Sequence, residues 1–169
     1  MGGSHASQGR RLTGDAVPLM ATPGIAILVV EDNPDHRELT LMALGECCDP
    51  ARLVAVPDGA EALDFLFGRG SFAGRDVRKQ PRLVILDMKL TRVHGLEVLK
   101  AMRSDPATQS VPVVMLSSST EKTELDSCYE AGANSVVRKS LDYEELRRKM
   151  RQVYEFWVTV NESDRASRV

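Results

Sequence analysis

Five side chains with reactive groups come at the ends of four short segments that are predicted as strands. In chain order they are Glu31, Asp32, Asp87, Ser117 and Lys139. Three carboxylates held together repel one another, at a cost on the order of a few kcal/mol, and a divalent cation removes that cost. Mg²⁺ or Mn²⁺ suits such oxygen ligands and can hold a phosphoryl oxygen at the same time. Asp87 would then be a nucleophile towards phosphorus, while Ser117 and Lys139 would bind other phosphoryl oxygens.

Each of these residues also has an ordinary structural explanation. Glu31 and Asp32 could favour the N-terminus of the helix that follows them, where acidic side chains suit the helix dipole. Asp87 could end a strand at a turn, Ser117 could be a helix cap, and Lys139 could be a solvated charge. Their joint occurrence, in the order acid pair, acid, hydroxyl and lysine at four strand ends, favours a functional site.

Five short apolar segments are predicted to form a parallel sheet that is buried on both faces. They comprise residues 25–30, 53–56, 83–87, 111–116 and 136–138. Helices are predicted between and after them, at about residues 34–46, 60–67, 95–103 and 143–158. A further helix ends near residue 131 and has Ser118 and Glu121 at capping-box spacing. Strict alternation predicts a right-handed, doubly wound α/β fold with its ligand site beyond the carboxyl ends of the strands.

The composition of the chain is typical of a soluble globular protein. Its 169 residues are 43% hydrophobic and 27% charged, and a formal net charge of −2 argues against a nucleic-acid partner. No apolar run approaches the roughly 20 residues of a membrane span, and no signal peptide is visible. We therefore expect a cytoplasmic protein with no membrane partner. The 3 cysteines lack CxxC spacing, which favours buried side chains in a reducing compartment over a redox or metal site.

One domain is expected, over residues 25–160. Residues 1–24 lack periodicity and begin with a stretch that resembles a cloning remnant, so we expect this segment to be flexible, and we expect the same of the tail at 161–169. The glycines of the polar loop at residues 68–81 resemble a phosphate-binding loop. They follow a helix, however, whereas a dinucleotide fingerprint needs a strand before it and a helix after it. The loop is therefore not assigned to a nucleotide.

These motifs together resemble the receiver domain of two-component response regulators, the CheY-like family. The resemblance covers about residues 25–158, and residues 28–33 match the acid-pair motif of the family. Asp87 matches its phosphoacceptor, Ser117 its switch serine or threonine, and Lys139 its invariant lysine. The resemblance implies a flavodoxin-like sheet with strand order 2-1-3-4-5 and five helices. It also implies a signalling protein, rather than an enzyme, that a histidine kinase phosphorylates on Asp87.

The same resemblance implies a Mg²⁺-dependent reaction, limited in the chain alone to self-phosphorylation from small donors and self-dephosphorylation. Asp32, Asp87 and the backbone carbonyl of Lys89 would bind the metal directly, and Glu31 would act directly or through water. Lys89 and Ser119 occupy positions that tune hydrolysis of the acyl phosphate in the family.

Val136 departs from the family pattern, because a Tyr or Phe that swings inward on phosphorylation is common at this position. We therefore expect the usual coupling between the switch hydroxyl and that aromatic ring to be muted or replaced. The ordinary alternative is that Val136 only fills volume against the sheet.

Three features resemble a narrower group, the single-domain regulators of phytochrome-type histidine kinases. They are the loop at residues 68–81, Ser140 in place of the usual proline after Lys139, and the Glu-Phe-Trp sequence at residues 155–157. This resemblance implies a homodimer through the last helix. The candidate dimer residues are Tyr154, Phe156 and Trp157. Apolar residues recur on more than one side of that helix, so packing of its tail on its own domain stays open as the alternative.

Two other classes of function compete with a phosphorylated switch. A phosphatase of the haloacid dehalogenase type also uses an aspartyl nucleophile, but it needs a second acid two residues later, where this chain has Lys89. A receiver fold that binds partners without phosphorylation is the other alternative. The intact set of acids, hydroxyl and lysine argues against that loss of chemistry.

Overall fold

The apolar segments predicted as strands lie side by side in one parallel sheet. The computed structural model describes residues 24–163, so the expectations for residues 1–23 and 164–169 lie outside the described part of the chain. The strands are β1 (Ile27–Val30), β2 (Leu53–Val56), β3 (Leu83–Asp87), β4 (Val113–Ser117) and β5 (Ser135–Arg138). Their order in the sheet is β2-β1-β3-β4-β5. This confirms the predicted fold and strand order, with β3 at the centre.

In the described part of the chain, five α-helices connect and follow the strands. They are α1 (Pro34–Gly45), α2 (Gly59–Phe67), α3 (Gly95–Ser104), α4 (Lys122–Glu130) and α5 (Tyr143–Tyr154). A π-helical extension at Glu155–Val160 continues α5 directly, and short 3₁₀ turns lie at Pro50–Arg52 and Gly70–Phe72. Within residues 24–163, no helix combines the length and the apolarity that crossing a bilayer requires.

Alternate residues of the strands pack into two separate cores. Odd-numbered β1 and β3 residues, such as Val29 and Ile85, pack with α1 and α5, whose contributions include Leu44 and Met150. Their even-numbered neighbours pack with α2, α3 and α4 on the other face of the sheet. Every residue of β1, β3 and β4 is buried, which explains why these strands are continuous apolar runs rather than alternating ones.

The start of α1 is set by Asn33, which directly follows the acid pair. Its side-chain oxygen accepts hydrogen bonds from the backbone N–H groups of Asp35 and His36, at 2.9 and 3.1 Å. Pro34 occupies the first turn, where a missing N–H costs nothing. The helix therefore begins immediately beyond the carboxyl end of β1, as predicted.

The predicted start of α4 is wrong. Glu121 is the N-cap residue of α4 and its side chain makes no capping hydrogen bond, so Ser118 and Glu121 do not form a capping box. Ser119 instead uses its hydroxyl oxygen to accept a hydrogen bond from the backbone N–H of Glu121, at 3.1 Å. This local turn keeps residues 118–121 out of the helix.

The loop at residues 68–81 is folded back onto the end of α2. The Arg75 guanidinium lies 4.0 Å from the centre of the Phe65 ring and donates a hydrogen bond to the Phe65 carbonyl. Gln80 donates to the carbonyl of Leu66 at 2.7 Å. As a connection from a helix to a strand, the loop lies at the amino ends of the strands, on the edge of the sheet opposite the acid pair.

Candidate functional site

The five reactive side chains predicted from the sequence come together at the carboxyl edge of the sheet. Asp87 and Ser117 are the last residues of β3 and β4, and Lys139 directly follows β5. The strand register pairs Asp87 with Leu116 and Ser117 with Arg138, so adjacent strands end at the same level. Parallel strands that end together place the side chains that follow them around one point.

The three acids form one cluster. Glu31, Asp32 and Asp87 each offer a carboxylate oxygen within 4.8 Å of the others. Glu31 and Asp87 are buried, with 1% and 5% of their surfaces exposed, while Asp32 is half-buried. Such a set of hard oxygen donors, open to solvent on the Asp32 side, fits a small divalent cation.

Backbone N–H groups fix two of these carboxylates. Asn33 donates to Glu31 Oε1 at 3.2 Å, and Lys89 donates to Asp87 Oδ1 at 3.1 Å. The chain on each side of the cluster thus holds the acids in place. Because each of these two bonds engages only one oxygen, the other oxygen of each carboxylate is left for a cation or for Lys139.

Lys139 supplies the positive charge of the site. Its Nζ atom lies 2.7 Å from Asp87 Oδ2 and 2.7 Å from Glu31 Oε2. Burial opposes the charged form, but hydrogen bonds to Asp87 and Glu31 outweigh it, so the pKa of Lys139 is raised. Lys139 is therefore a permanent cation shared between two buried carboxylates.

The surroundings of Glu31 disfavour its ionised form. Burial is the largest cause that raises its pKa, and the neighbouring Asp87 adds to the rise while Lys139 opposes it. The result is a pKa of about 7 for Glu31. A further positive charge in the cluster would lower this pKa, because it would favour the ionised form.

Ser117 lies at the edge of the same site. The residue is buried, its hydroxyl oxygen accepts a hydrogen bond from the Ser119 N–H at 3.1 Å, and its carbonyl accepts one from the Lys139 N–H at 2.9 Å. The ends of β4 and β5 are thereby tied together. This backbone hydrogen bond keeps Ser117, with its hydroxyl, next to Lys139, with its ammonium group.

The residues predicted to tune the site have different environments. The Lys89 side chain is exposed and Ser119 is half-buried. Val136 is also half-buried and packs against the core shared with α2, α3 and α4. Their predicted effects on acyl-phosphate lifetime and switching stay predictions.

The candidate dimer residues divide into two sets. Tyr154 and Trp157 are half-buried and pack against the core beneath α1 and α5. Phe156 is 50% exposed and meets the Trp157 ring edge-on, at 4.9 Å between centroids. Val158 is buried and Val160 is 65% exposed. The tail of the last helix thus packs partly on its own domain, and Phe156 and Val160 remain as its exposed apolar surface.

Sequence reasoning did not identify two residues near the site. His36 Nδ1 lies 3.4 Å from Lys139 Nζ and 3.8 Å from Glu31 Oε1. The Asn33 cap could have indicated this, because it places the first turn of α1 beside Glu31. Arg92, in the loop after Asp87, pairs with Asp58 at 3.0 Å, and no local sequence signal indicates that contact.

A cavity of about 230 Å³ opens beside Lys139, between α1 and the segment that joins β5 to α5. Its walls are mainly apolar and include Leu39, Leu116 and Leu146. Leu141, also part of the lining, is 92% exposed. Leu141 and the cavity walls thus leave apolar side chains next to the charged site.

Comparison with known proteins identifies a family that matches this chain. The family described as response regulator receiver domain matches residues 27–151. The "Probable methanogenesis regulatory protein FilR2" of Methanothrix harundinacea is 35% identical over 145 residues, which cover 86% of this chain and 91% of that protein. Response regulator Rcp1 of Synechocystis sp. is 28% identical over 138 residues, covering 82% and 92% of the two chains.

Solved structures give the same result. The phosphorylated cyanobacterial phytochrome response regulator RcpA is 31% identical and superposes with a TM-score of 0.76, covering 84% of this chain and 99% of that one. The Mn²⁺-bound form of Rcp1 superposes with a TM-score of 0.74 at 27% identity, covering 83% and 99%.

Proposed function

The chain belongs to the response regulator receiver domain family, and from this we propose that Asp87 accepts a phosphoryl group from a histidine kinase. The observation that carries the proposal is the surroundings of Asp87. Its carboxylate ends the central strand, lies in a cluster with two other acids, and contacts the Lys139 ammonium at 2.7 Å. A carboxylate held between metal ligands and a fixed cation is equipped to attack phosphorus and form an acyl phosphate.

The reaction is proposed to depend on Mg²⁺ or Mn²⁺. Asp32, Asp87 and the backbone carbonyl of Lys89 would hold the metal, with Glu31 bound directly or through water. When bound, the metal would neutralise carboxylate charge and hold a phosphoryl oxygen. The fit rests on the three hard-oxygen donors within 4.8 Å of one another, and the Mn²⁺-bound form of the related Rcp1 supports it.

The residues of the chain have distinct roles in the proposed transfer. Asp87 forms the new bond between its carboxylate oxygen and phosphorus, while the bond from phosphorus to the donor breaks. Lys139 binds a phosphoryl oxygen and keeps the negative charge of the product in place. Ser117 donates a hydrogen bond from its hydroxyl to another phosphoryl oxygen. This new contact changes the conformation of the segment between β4 and α4, to which partner proteins bind.

The kinase is proposed to be of the phytochrome type. The solved structure of RcpA supports this, because RcpA is a cyanobacterial phytochrome response regulator and the match covers 99% of the RcpA chain. The alternative is a kinase that responds to a different signal. It is supported by FilR2, a probable methanogenesis regulatory protein at 35% identity.

Residues 25–160 are proposed as the receiver domain, and its last helix as a homodimer contact. The exposed side chains of Phe156 and Val160 support the contact. Sedimentation velocity over a wide concentration range tests it. We expect a concentration-dependent dimer that the F156E substitution dissociates, and a monomer at all concentrations would contradict the proposal.

The central test is phosphorylation by a small donor such as acetyl phosphate, followed by intact-protein mass spectrometry. We expect one added phosphoryl group with Mg²⁺, and none after chelation or in D87N. If neither small donors nor histidine kinases phosphorylate the chain, the receiver fold acts as a phosphorylation-independent binding module. Repeated release of phosphate from phosphomonoesters would instead indicate an aspartyl phosphatase.

A further inference from the structure

The loop between β3 and α3, residues 88–94, contains an unusual backbone conformation. Within residues 24–163, Arg92 is the one non-glycine residue with a positive φ, at 65°. The Val93 N–H donates to the Thr91 carbonyl at 2.8 Å, across Arg92. A hydrogen bond from residue i+2 to residue i with a positive central φ defines a γ-turn of the rarer, strained kind. An arginine gains nothing from this conformation through its backbone alone.

The side chain of Arg92, which is 64% exposed, makes an ion pair from the tip of this loop. Its guanidinium donates to Asp58 Oδ2 at 3.0 Å, and the Asp58 side chain is only 10% exposed. The other oxygen of Asp58 caps α2 by accepting a hydrogen bond from the Glu61 N–H at 2.8 Å. Without Arg92, one oxygen of a buried carboxylate would lose its cationic partner.

Two glycines allow this loop to pack closely on its surroundings. A Cβ atom on Gly59 would lie 2.2 Å from the Val93 carbonyl oxygen, and one on Gly95 would lie 2.3 Å from the Asp87 carbonyl oxygen. The Gly95 N–H also donates to the Met88 carbonyl at 3.1 Å, which closes the loop at its base. The loop is therefore closely packed at both glycines, and Arg92 joins its tip to the N-terminus of α2.

We propose that Arg92 is a positioning residue for the metal site, acting through its ion pair with Asp58. The pair stabilises the γ-turn, and the γ-turn fixes the course of the chain from Asp87 to Val93, which includes the carbonyl of Lys89. This inference rests on the proposed function, in which that carbonyl is a metal ligand. Neither Arg92 nor Asp58 is a ligand, so their effect reaches the metal only through the backbone.

Binding of Mn²⁺, measured by isothermal titration calorimetry and by the electron paramagnetic resonance signal of free Mn²⁺, tests the proposal without any phosphoryl donor. We expect R92A and D58N each to weaken Mn²⁺ binding by about tenfold, as loss of an outer support of a metal site typically does. D58N keeps the oxygen that caps α2. The double variant should bind no more weakly than either single one, because both remove the same interaction.

Three further variants separate this role from a general loss of stability. R92K retains a cation that can reach one carboxylate oxygen, so it should restore most of the affinity. R92G removes the ion pair but also the strain that the pair offsets, so it should bind Mn²⁺ more tightly than R92A, and D58N alone tests the role of the pair if R92A does not fold. R78A removes an exposed arginine that pairs with Asp76 on the opposite edge of the sheet, and it should bind Mn²⁺ as the unsubstituted protein does.

Absence of the metal site and absence of the Arg92 role give different results. If the unsubstituted protein does not bind Mn²⁺, the proposed metal site and the role of Arg92 are both wrong. If it binds Mn²⁺ and the folded R92A and D58N variants bind it equally well, only the role of Arg92 is wrong. Strictly additive losses in the double variant would also overturn the positioning role.

Discussion

Lys139 and its two carboxylate partners form a buried ion triad at the centre of the site. The Nζ atom lies 2.7 Å from both Glu31 Oε2 and Asp87 Oδ2, and the lysine side chain is only 19% exposed. Removal of one partner from such a group leaves charges that water cannot fully solvate. Lys139 therefore contributes to the free energy of unfolding as well as to the chemistry of the site.

We expect K139A to lower the free energy of unfolding by roughly 3 kcal/mol in the metal-free protein, the typical cost of breaking a buried ion pair. Mg²⁺ should restore part of this loss because it replaces the missing positive charge. Urea unfolding with and without a chelator measures both effects. The matched control is K122A, whose exposed pair with Asp126 should contribute less than about 1 kcal/mol.

Glu31 should make the stability of the metal-free protein depend on pH. Its pKa rises from an ordinary 4.5 to about 7 on folding, chiefly through burial. Between these values the folded protein binds one more proton than the unfolded chain, so the free energy of unfolding falls as pH increases. The raised pKa of Lys139 changes stability only at alkaline pH, above this window.

Relative to E31Q, the unsubstituted protein should lose on the order of 3 kcal/mol of stability between pH 4.5 and pH 7. Denaturant unfolding of both proteins in a chelating buffer gives the comparison. Since the other titrating groups are shared, their contributions cancel in the difference. Parallel pH profiles would contradict the role assigned to Glu31.

Among the elements, α1 is capped at its N-terminus by the side chain of Asn33. Asn33 satisfies two N–H groups of the first turn, those of Asp35 and His36. We expect N33A to cost about 1 kcal/mol of stability and N33G only a few tenths, measured by thermal or urea unfolding. No measurable loss in N33A would show that the cap contributes little.

The π-helical extension should stabilise the domain through Trp157 and much less through Phe156. Trp157 is half-buried against the core beneath α1 and α5, whereas Phe156 is 50% exposed. At a concentration where the protein is monomeric, W157A should lower the unfolding free energy by about 2 kcal/mol and F156A by less than about 0.5 kcal/mol. If F156A costs as much as W157A, the extension packs differently from the structure described.

The strands and most helix starts could be predicted from the sequence because local signals determine them. Short continuous apolar runs are typical of strands covered on both faces, and Asn33 followed by Pro34 is a typical helix start. The start of α4 could not be predicted in this way, since Ser118 and Ser119 offer competing local turns. The positive φ of Arg92 depends on Asp58, which lies 34 residues earlier in the chain.

The candidate site was predictable to the same extent as the ends of the strands. Once β1, β3, β4 and β5 were identified, the rule for parallel sheets placed the residues that follow them together. The shared ion pair of Lys139 with Glu31, and the approach of His36, depend on side-chain orientation. Sequence spacing does not contain that information.

For the whole molecule, a substitution on the surface beside the cavity should affect phosphorylation by a histidine kinase but not by acetyl phosphate. Leu141 is 92% exposed at the rim of the apolar cavity next to Lys139. We expect L141E to lower the rate of transfer from a histidine kinase by about tenfold or more, as loss of an apolar contact residue can. Phosphorylation by acetyl phosphate should not change, because that donor needs no protein contact.

The control for this prediction is L125E, which changes another exposed leucine, 42% accessible on α4. It should leave transfer from the kinase unchanged. A loss of both routes in L141E would indicate damage to the site itself rather than to a docking surface.

The packing of α1 against α5 has a consequence for how the chain folds as it is synthesised. Glu46, next to α1, pairs with Arg147 of α5, a residue 101 positions later, and both helices cover the same core. Until α5 has emerged from the ribosome, residues such as Leu44 and Leu116 lack the cover that α5 provides. The nascent protein therefore exposes part of one apolar face of its sheet until α5 has emerged from the ribosome, and chaperones that bind apolar segments have their greatest access to it during that interval.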